Sequence, residues 1–212
     1  MSSLPRSSMV WLHAGWGHRP GMLDSLPAFH RDGRVNAVIE TPRGSRNKFT
    51  FEPDTGTFHL GKQLPAGAVF PFDFGFIPST LAQDGDPLDV LVLLETPTFP
   101  GCVVGGRIIG VIDGRQTGRT GKTTANPRLI AVAMESTEFA GVRRLRELPS
   151  SLIDEITHFF VSYNDATGKT YTPSGAFGPR KALAMIHAGI SRRQNATRGK
   201  KRKRGRTLGR AA

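Results

Sequence analysis

The chain has 212 residues, 38% of them apolar, which is enough for one sizeable hydrophobic core and argues against several independent domains. Its net charge of +12 suggests nucleic-acid binding until it is located: Ser191 to Ala212 carries ten Lys or Arg and no acid, leaving 19 basic against 17 acidic groups in a nearly neutral body. No run approaches the roughly 18 apolar residues of a membrane span, no secretory h-region is present, and the single Cys102 rules out an internal disulfide, so a cytoplasmic protein is expected.

In chain order, residues 1–33 hold scattered charge, three prolines and no lasting periodicity, and are expected to be a poorly structured N-terminal extension. Val35–Glu40 and Lys48–Glu52 have strand character around the turn-prone Pro42-Arg-Gly-Ser45, and Thr57–Leu60 follows the turn Pro53-Asp-Thr-Gly56. Val69–Pro78 alternates aromatics with small or polar residues, as an extended segment beneath a pocket does. The continuous apolar run Val90–Leu94 suits a strand buried on both faces, with further strands expected at Val103–Ile112 and Leu129–Ala133. Between these two, Asp113–Pro127 is rich in Gly, Thr and Arg without an apolar anchor, and a mobile loop is expected.

Leu152, Ile156, Phe159 and Phe160 fall at helical spacing, with Ser150 or Ser151 as cap and Asp154 and Glu155 in the first turn. A second helix is expected from Pro179 to about Arg192. Residues 192–212 have too few apolar groups to pack and are expected to form a disordered basic tail, free to hold nucleic acid or another anionic surface nonspecifically. The folded domain therefore spans 34–191. Its glycines, prolines and phenylalanines favour short strands and turns, a mainly β chain.

The strongest chemical signal is Asp84-Gly-Asp86-Pro-Leu-Asp89. Three carboxylates within six residues repel one another unless a cation or protons offset them, and hard oxygen donors without His or Cys favour Mg²⁺, Mn²⁺ or Ca²⁺ over zinc. A solvated acidic turn is the bland alternative. A calcium loop is rejected, because Asp89 stands where such a loop needs glycine. His13 and His18 lack a third ligand, and Gly118–Thr123 lacks the strand-to-glycine spacing of a phosphate loop.

Asp84-Gly-Asp-Pro-Leu-Asp-Val90 resembles the signature of the soluble, Mg-dependent (family I) inorganic pyrophosphatases. Val38-Ile-Glu-Thr-Pro42, Lys48-Phe49 and His158-Phe-Phe-Val-Ser-Tyr163 resemble further family segments, in matching order from about Val35 to Ile190. The resemblance implies an OB-like, five-stranded closed barrel with flanking helices, and Mg²⁺-dependent hydrolysis of inorganic pyrophosphate. It further implies Asp84, Asp86, Asp89 and Glu40 as the metal set, Asp86 as the proton acceptor, and Lys48, Lys62, Arg128, Tyr163 and Lys169 on phosphate oxygens. A homo-oligomer is expected on the same ground.

Several residues depart from the family pattern. Thr50 stands in place of an acid, Lys62 of an arginine, Phe70 and Phe74 of tyrosines, Asp73 of an asparagine and Asn164 of a lysine. Of the aspartates expected before Arg128, one is replaced by Asn126 and the other has no acidic counterpart; Asp113, the only acid of that loop, is either a substitute ligand or a turn-former. Weakened activity, or a protein that binds phosphate compounds or a partner without turnover, is the alternative these changes leave open.

Overall fold

The computed structural model describes residues 23–208, with side chains described for 23–199. Nine strands and two helices follow one another: β1 (Val35–Thr41), β2 (Asn47–Glu52), β3 (Thr57–Gln63), β4 (Asp73–Ile77), β5 (Leu88–Leu93), β6 (Val103–Thr117), β7 (Thr123–Ala125), β8 (Arg128–Ala133), α1 (Ser150–Asp165), β9 (Thr170–Phe177) and α2 (Pro179–Leu208). β1 pairs with β4, β4 with β5, β5 with β8 in parallel, β8 with β6, and β6 with β1. These five pairings close on themselves, so the barrel has no free edge and is the OB-like, mainly β architecture expected.

Closure requires β1 and β4 to approach very tightly at one point. A Cβ at Gly75 would lie 1.9 Å from the Val38 carbonyl oxygen, so only glycine fits there. β5 is buried on both faces: Val90 and Val92 join a core cluster that reaches Ala182 and Ile186 of α2, while Leu91 and Leu93 join one that reaches Ile156 and Phe160 of α1. Each helix is thus held by apolar side chains worth about 2 kcal/mol apiece when fully buried. The β2–β3 hairpin stands apart as its own two-stranded sheet beside β1.

Four expectations change. The loop expected at 113–127 is largely a hairpin: β6 runs on to Thr117 and pairs with β7 and β9, and the Thr117 and Thr123 hydroxyls lie 2.9 Å apart. Backbone pairing anchors this segment where apolar side chains do not. β9 itself has only Tyr171 buried and so lacks any alternation by which to be recognised. α1 starts at Ser150 behind Pro149 as N-cap, with no side-chain cap and no acid in its first turn.

The fourth change concerns the ends. Residues 1–22, with His13 and His18, lie outside the described residues; 23–33 are laid on the barrel. Ala28 is in the core, its carbonyl accepts the Asn36 N–H, and Phe29 bridges Val35. At the other end α2 continues helical from Arg192 to Leu208. Residues 209–212 of the expected tail lie outside the described residues.

Candidate active site

A cavity of about 510 Å³ opens at one end of the barrel. It gathers Glu40 from β1, Lys48 and Thr50 from β2, Lys62 from β3, Asp84 and Asp86 from the turn before β5, Asp89 from β5, Arg128 from β8, and Tyr163 and Lys169 from α1 and the loop after it. Every site residue expected from the sequence therefore lines one space. Among the described residues, though, no three His, Cys, Asp or Glu side chains converge closely enough to hold a metal ion.

The first wall is acidic. Glu40 is buried and both its oxygens are engaged: one accepts the Phe51 N–H at 2.8 Å, the other the Lys48 ammonium at 2.8 Å. Lys48 also donates to the Phe49 carbonyl and lies 4.9 Å from the Phe74 ring centre, so Phe74 supports the lysine by its π face and has no hydroxyl to offer phosphate. Asp84 accepts the Asp86 N–H at 3.2 Å across Gly85, whose φ of 103° makes the tight turn. Burial, and then the Asp84 and Glu40 charges, push the Asp86 carboxyl above its usual range.

The opposite wall is neutral or cationic. The parallel register sets Val90 against Leu129, which brings the preceding residues Asp89 and Arg128 side by side as an ion pair. The Arg128 side chain is 4% exposed. Its Nη1 also donates to Asn126 Oδ1 at 2.8 Å, and its guanidinium lies 4.7 Å from the Phe160 ring centre and 5.7 Å from that of Tyr171. Asn126 in turn donates to the side-chain oxygen of Gln116 at 3.1 Å. Gln116, in the part of β6 expected as loop, thus lines the cavity beside Asn126 with an amide rather than an acid.

The remaining cations converge on the mouth. Lys62 lies 4.3 Å from the Tyr163 ring centre. Burial, with the neighbouring charges of Lys169, Lys48 and Arg128, pulls the Lys62 pKa down to about 8. Burial pushes the Tyr163 phenol up to about 12, so it stays a hydrogen-bond donor at any physiological pH.

Two lining residues carried no sequence signal at all: Asp24 and Arg193, joined at 2.7 Å, bring the N-terminal segment and α2 together at the cavity. Asp113 does not line the cavity; it pairs with Lys181 at 2.8 Å, which removes it as a substitute ligand. Asp73 is structural as well, accepting from Arg43 and from the Thr98 backbone and hydroxyl.

The donor set fits a hard divalent cation on the Asp84–Asp86 side, where among the described residues the carboxylates form no salt bridge. It does not fit one against Gln116, Asn126 and Arg128, which offer two amides and a guanidinium.

The family described as inorganic pyrophosphatase matches residues 37–194. The inorganic pyrophosphatase of Halalkalibacterium halodurans is 41% identical over 155 residues, 72% of this chain and 90% of that protein. That of Geobacillus stearothermophilus is 39% identical over 158 residues, 74% and 93% respectively. The crystal structure of the inorganic pyrophosphatase from Thermus thermophilus superposes with a TM-score of 0.73 at 37% identity, covering 81% of this chain and 98% of that one.

Proposed function

The chain belongs to the inorganic pyrophosphatase family, and from that premise we propose how its cavity hydrolyses inorganic pyrophosphate to two phosphates, with Mg²⁺ as the metal. The observation that carries the reading is the single cavity in which Asp84, Asp86, Asp89 and Glu40 face Lys48, Lys62, Lys169 and Tyr163. Pyrophosphate is so anionic that a nucleophile is repelled until cations offset its charge. The metal set is Asp84, Asp86 and Asp89 with Glu40 in support, and the bound cation supplies that offset and a more acidic water.

The side chains divide the remaining work. Asp86 accepts the proton of the attacking water, as a carboxylate placed within the cavity can. Lys48, Lys62 and Lys169 hold phosphate oxygens as point charges, and the Tyr163 hydroxyl donates to one of them. Arg128 contributes its charge from beneath the cavity surface, where its side chain is nearly all buried and its Nη1 meets Asp89 and Asn126.

The test is phosphate release from pyrophosphate by purified protein across Mg²⁺ concentrations, with Asp86→Asn as control. Release that depends on Mg²⁺ and falls about 10²–10⁴-fold in the variant is the expected result; release indistinguishable from the variant sinks the reading. The amide pair Gln116–Asn126 favours one second reading, a slow enzyme or a phosphate binder without turnover. Calorimetry showing pyrophosphate binding without release would select it.

The catalytic unit in this reading is the domain 34–191, placed in the cytoplasm and working as a homo-oligomer. The basic segment 192–212 is a nonspecific tether for nucleic acid or another polyanion, and its retention on such a polymer should fall steeply with salt.

A further inference from the structure

The four carboxylates of the cavity are not equivalent. Glu40 is tied to Lys48 and to the Phe51 amide, and Asp89 is tied to Arg128, whereas among the described residues Asp84 and Asp86 form no salt bridge. The Asp89–Arg128 pair also differs from the Glu40–Lys48 pair in what can dissolve it. Lys48 is a flexible ammonium on a hairpin that stands outside the barrel. Arg128 is fixed in a barrel strand, nearly all its surface is buried, and it is packed against the Phe160 and Tyr171 rings. Taking Asp89 away from it strands a buried guanidinium, whose Nε already has no acceptor.

Asn126 offers Arg128 an oxygen and turns its NH₂ toward Gln116, so two neutral amides complete this wall. Amides bring oxygen donors without charge, and affinity for a hard divalent ion depends on ligand charge and number.

We infer that Arg128 is a resident cation of the cage: its guanidinium, backed by Asn126 and Gln116, neutralises Asp89 in place of a divalent ion, so that in the absence of substrate the chain takes metal only on the Asp84–Asp86 side. This rests on the pyrophosphatase reading for the identity of the cavity, and it narrows the metal set proposed there. Asp89 is a positioning residue that orders Arg128 and the start of β8 against β5. The substrate enters a site in which part of the positive charge is built into the fold.

Titration of the purified protein with Mn²⁺, following free Mn²⁺ by electron paramagnetic resonance, tests this without any turnover. The wild type should saturate at one equivalent per chain. Asp84→Asn should weaken that binding by about tenfold or more, since it removes a charged ligand, and by clearly more than Asp89→Asn does. If Asp89→Asn does not fold, the double variant Asn126→Asp/Gln116→Glu decides: it restores acids to the amide wall and should raise saturation to two equivalents.

Two equivalents on the wild type, an Asp89→Asn loss as large as that of Asp84→Asn, or unchanged stoichiometry in the double variant overturns the inference. Absence of pyrophosphate hydrolysis beside the expected Mn²⁺ pattern would sink the activity and leave the resident cation standing. Hydrolysis beside two wild-type equivalents would do the reverse.

Discussion

The turn from Asp84 to Asp89 and the hairpin from Gln116 to Arg128 face each other across the same cavity, yet they solve the same electrostatic problem in opposite ways. The turn concentrates carboxylates and leaves Asp84 and Asp86 outside any salt bridge among the described residues, with Asp86 pushed toward protonation by burial and by its neighbours. The hairpin side holds two amides in a hydrogen-bonded chain ending on a buried guanidinium. One wall awaits a cation and the other already contains one. A cavity can therefore keep the outline of a metal-assisted phosphate site while its two halves differ in how much metal they call for.

Substitutions on either wall sharpen that contrast. The largest effect is expected for Asp86→Asn, which removes the proton acceptor together with a metal carboxylate and should lower turnover about 10²–10⁴-fold. On the other wall, Arg128→Met should act on stability first: it leaves Asp89 without its partner and should cost about 1.5–3 kcal/mol in urea unfolding, the range for losing a hydrogen bond to a charged group. An Arg128→Met protein as stable as the wild type would show that the pair is incidental.

A smaller effect concerns pH. Because the Lys62 pKa lies near 8, its ammonium is present below that value and lost above it, so the KM for pyrophosphate should rise several-fold as pH passes from 7 to 9. Lys62→Arg, which stays charged throughout, should flatten that rise; an identical profile would assign it to another group. The smallest effect is expected at the mouth, where Arg193→Ala breaks a partly exposed pair with Asp24 and should change stability by about 1 kcal/mol or less.

What the sequence disclosed, and what it did not, follows the same division. The aspartate turn was legible because its residue types are costly together, and the strand after it because Val90–Leu94 is apolar without interruption. The closed barrel came with the family resemblance. β7 and β9 were not legible: their register is set by backbone pairing with β6, and seven of the eight β9 side chains are exposed. Gln116 was missed for that reason, since it faces the cavity only once β6 is extended through it.

Asp24 and Arg193 were missed because their pairing joins segments 169 residues apart, a contact that no local pattern encodes. The helical course of residues 193–208 was not legible, because the segment has few apolar groups to mark a helical period and holds Gly199 and Gly205.

The most direct test of the whole account is the rate of phosphate release from pyrophosphate against free Mg²⁺, measured for the wild type and for Asn126→Asp/Gln116→Glu. The account predicts Mg²⁺-dependent turnover in the wild type and half-maximal activity at lower Mg²⁺ in the double variant. Wild-type release no faster than that of Asp86→Asn would contradict it.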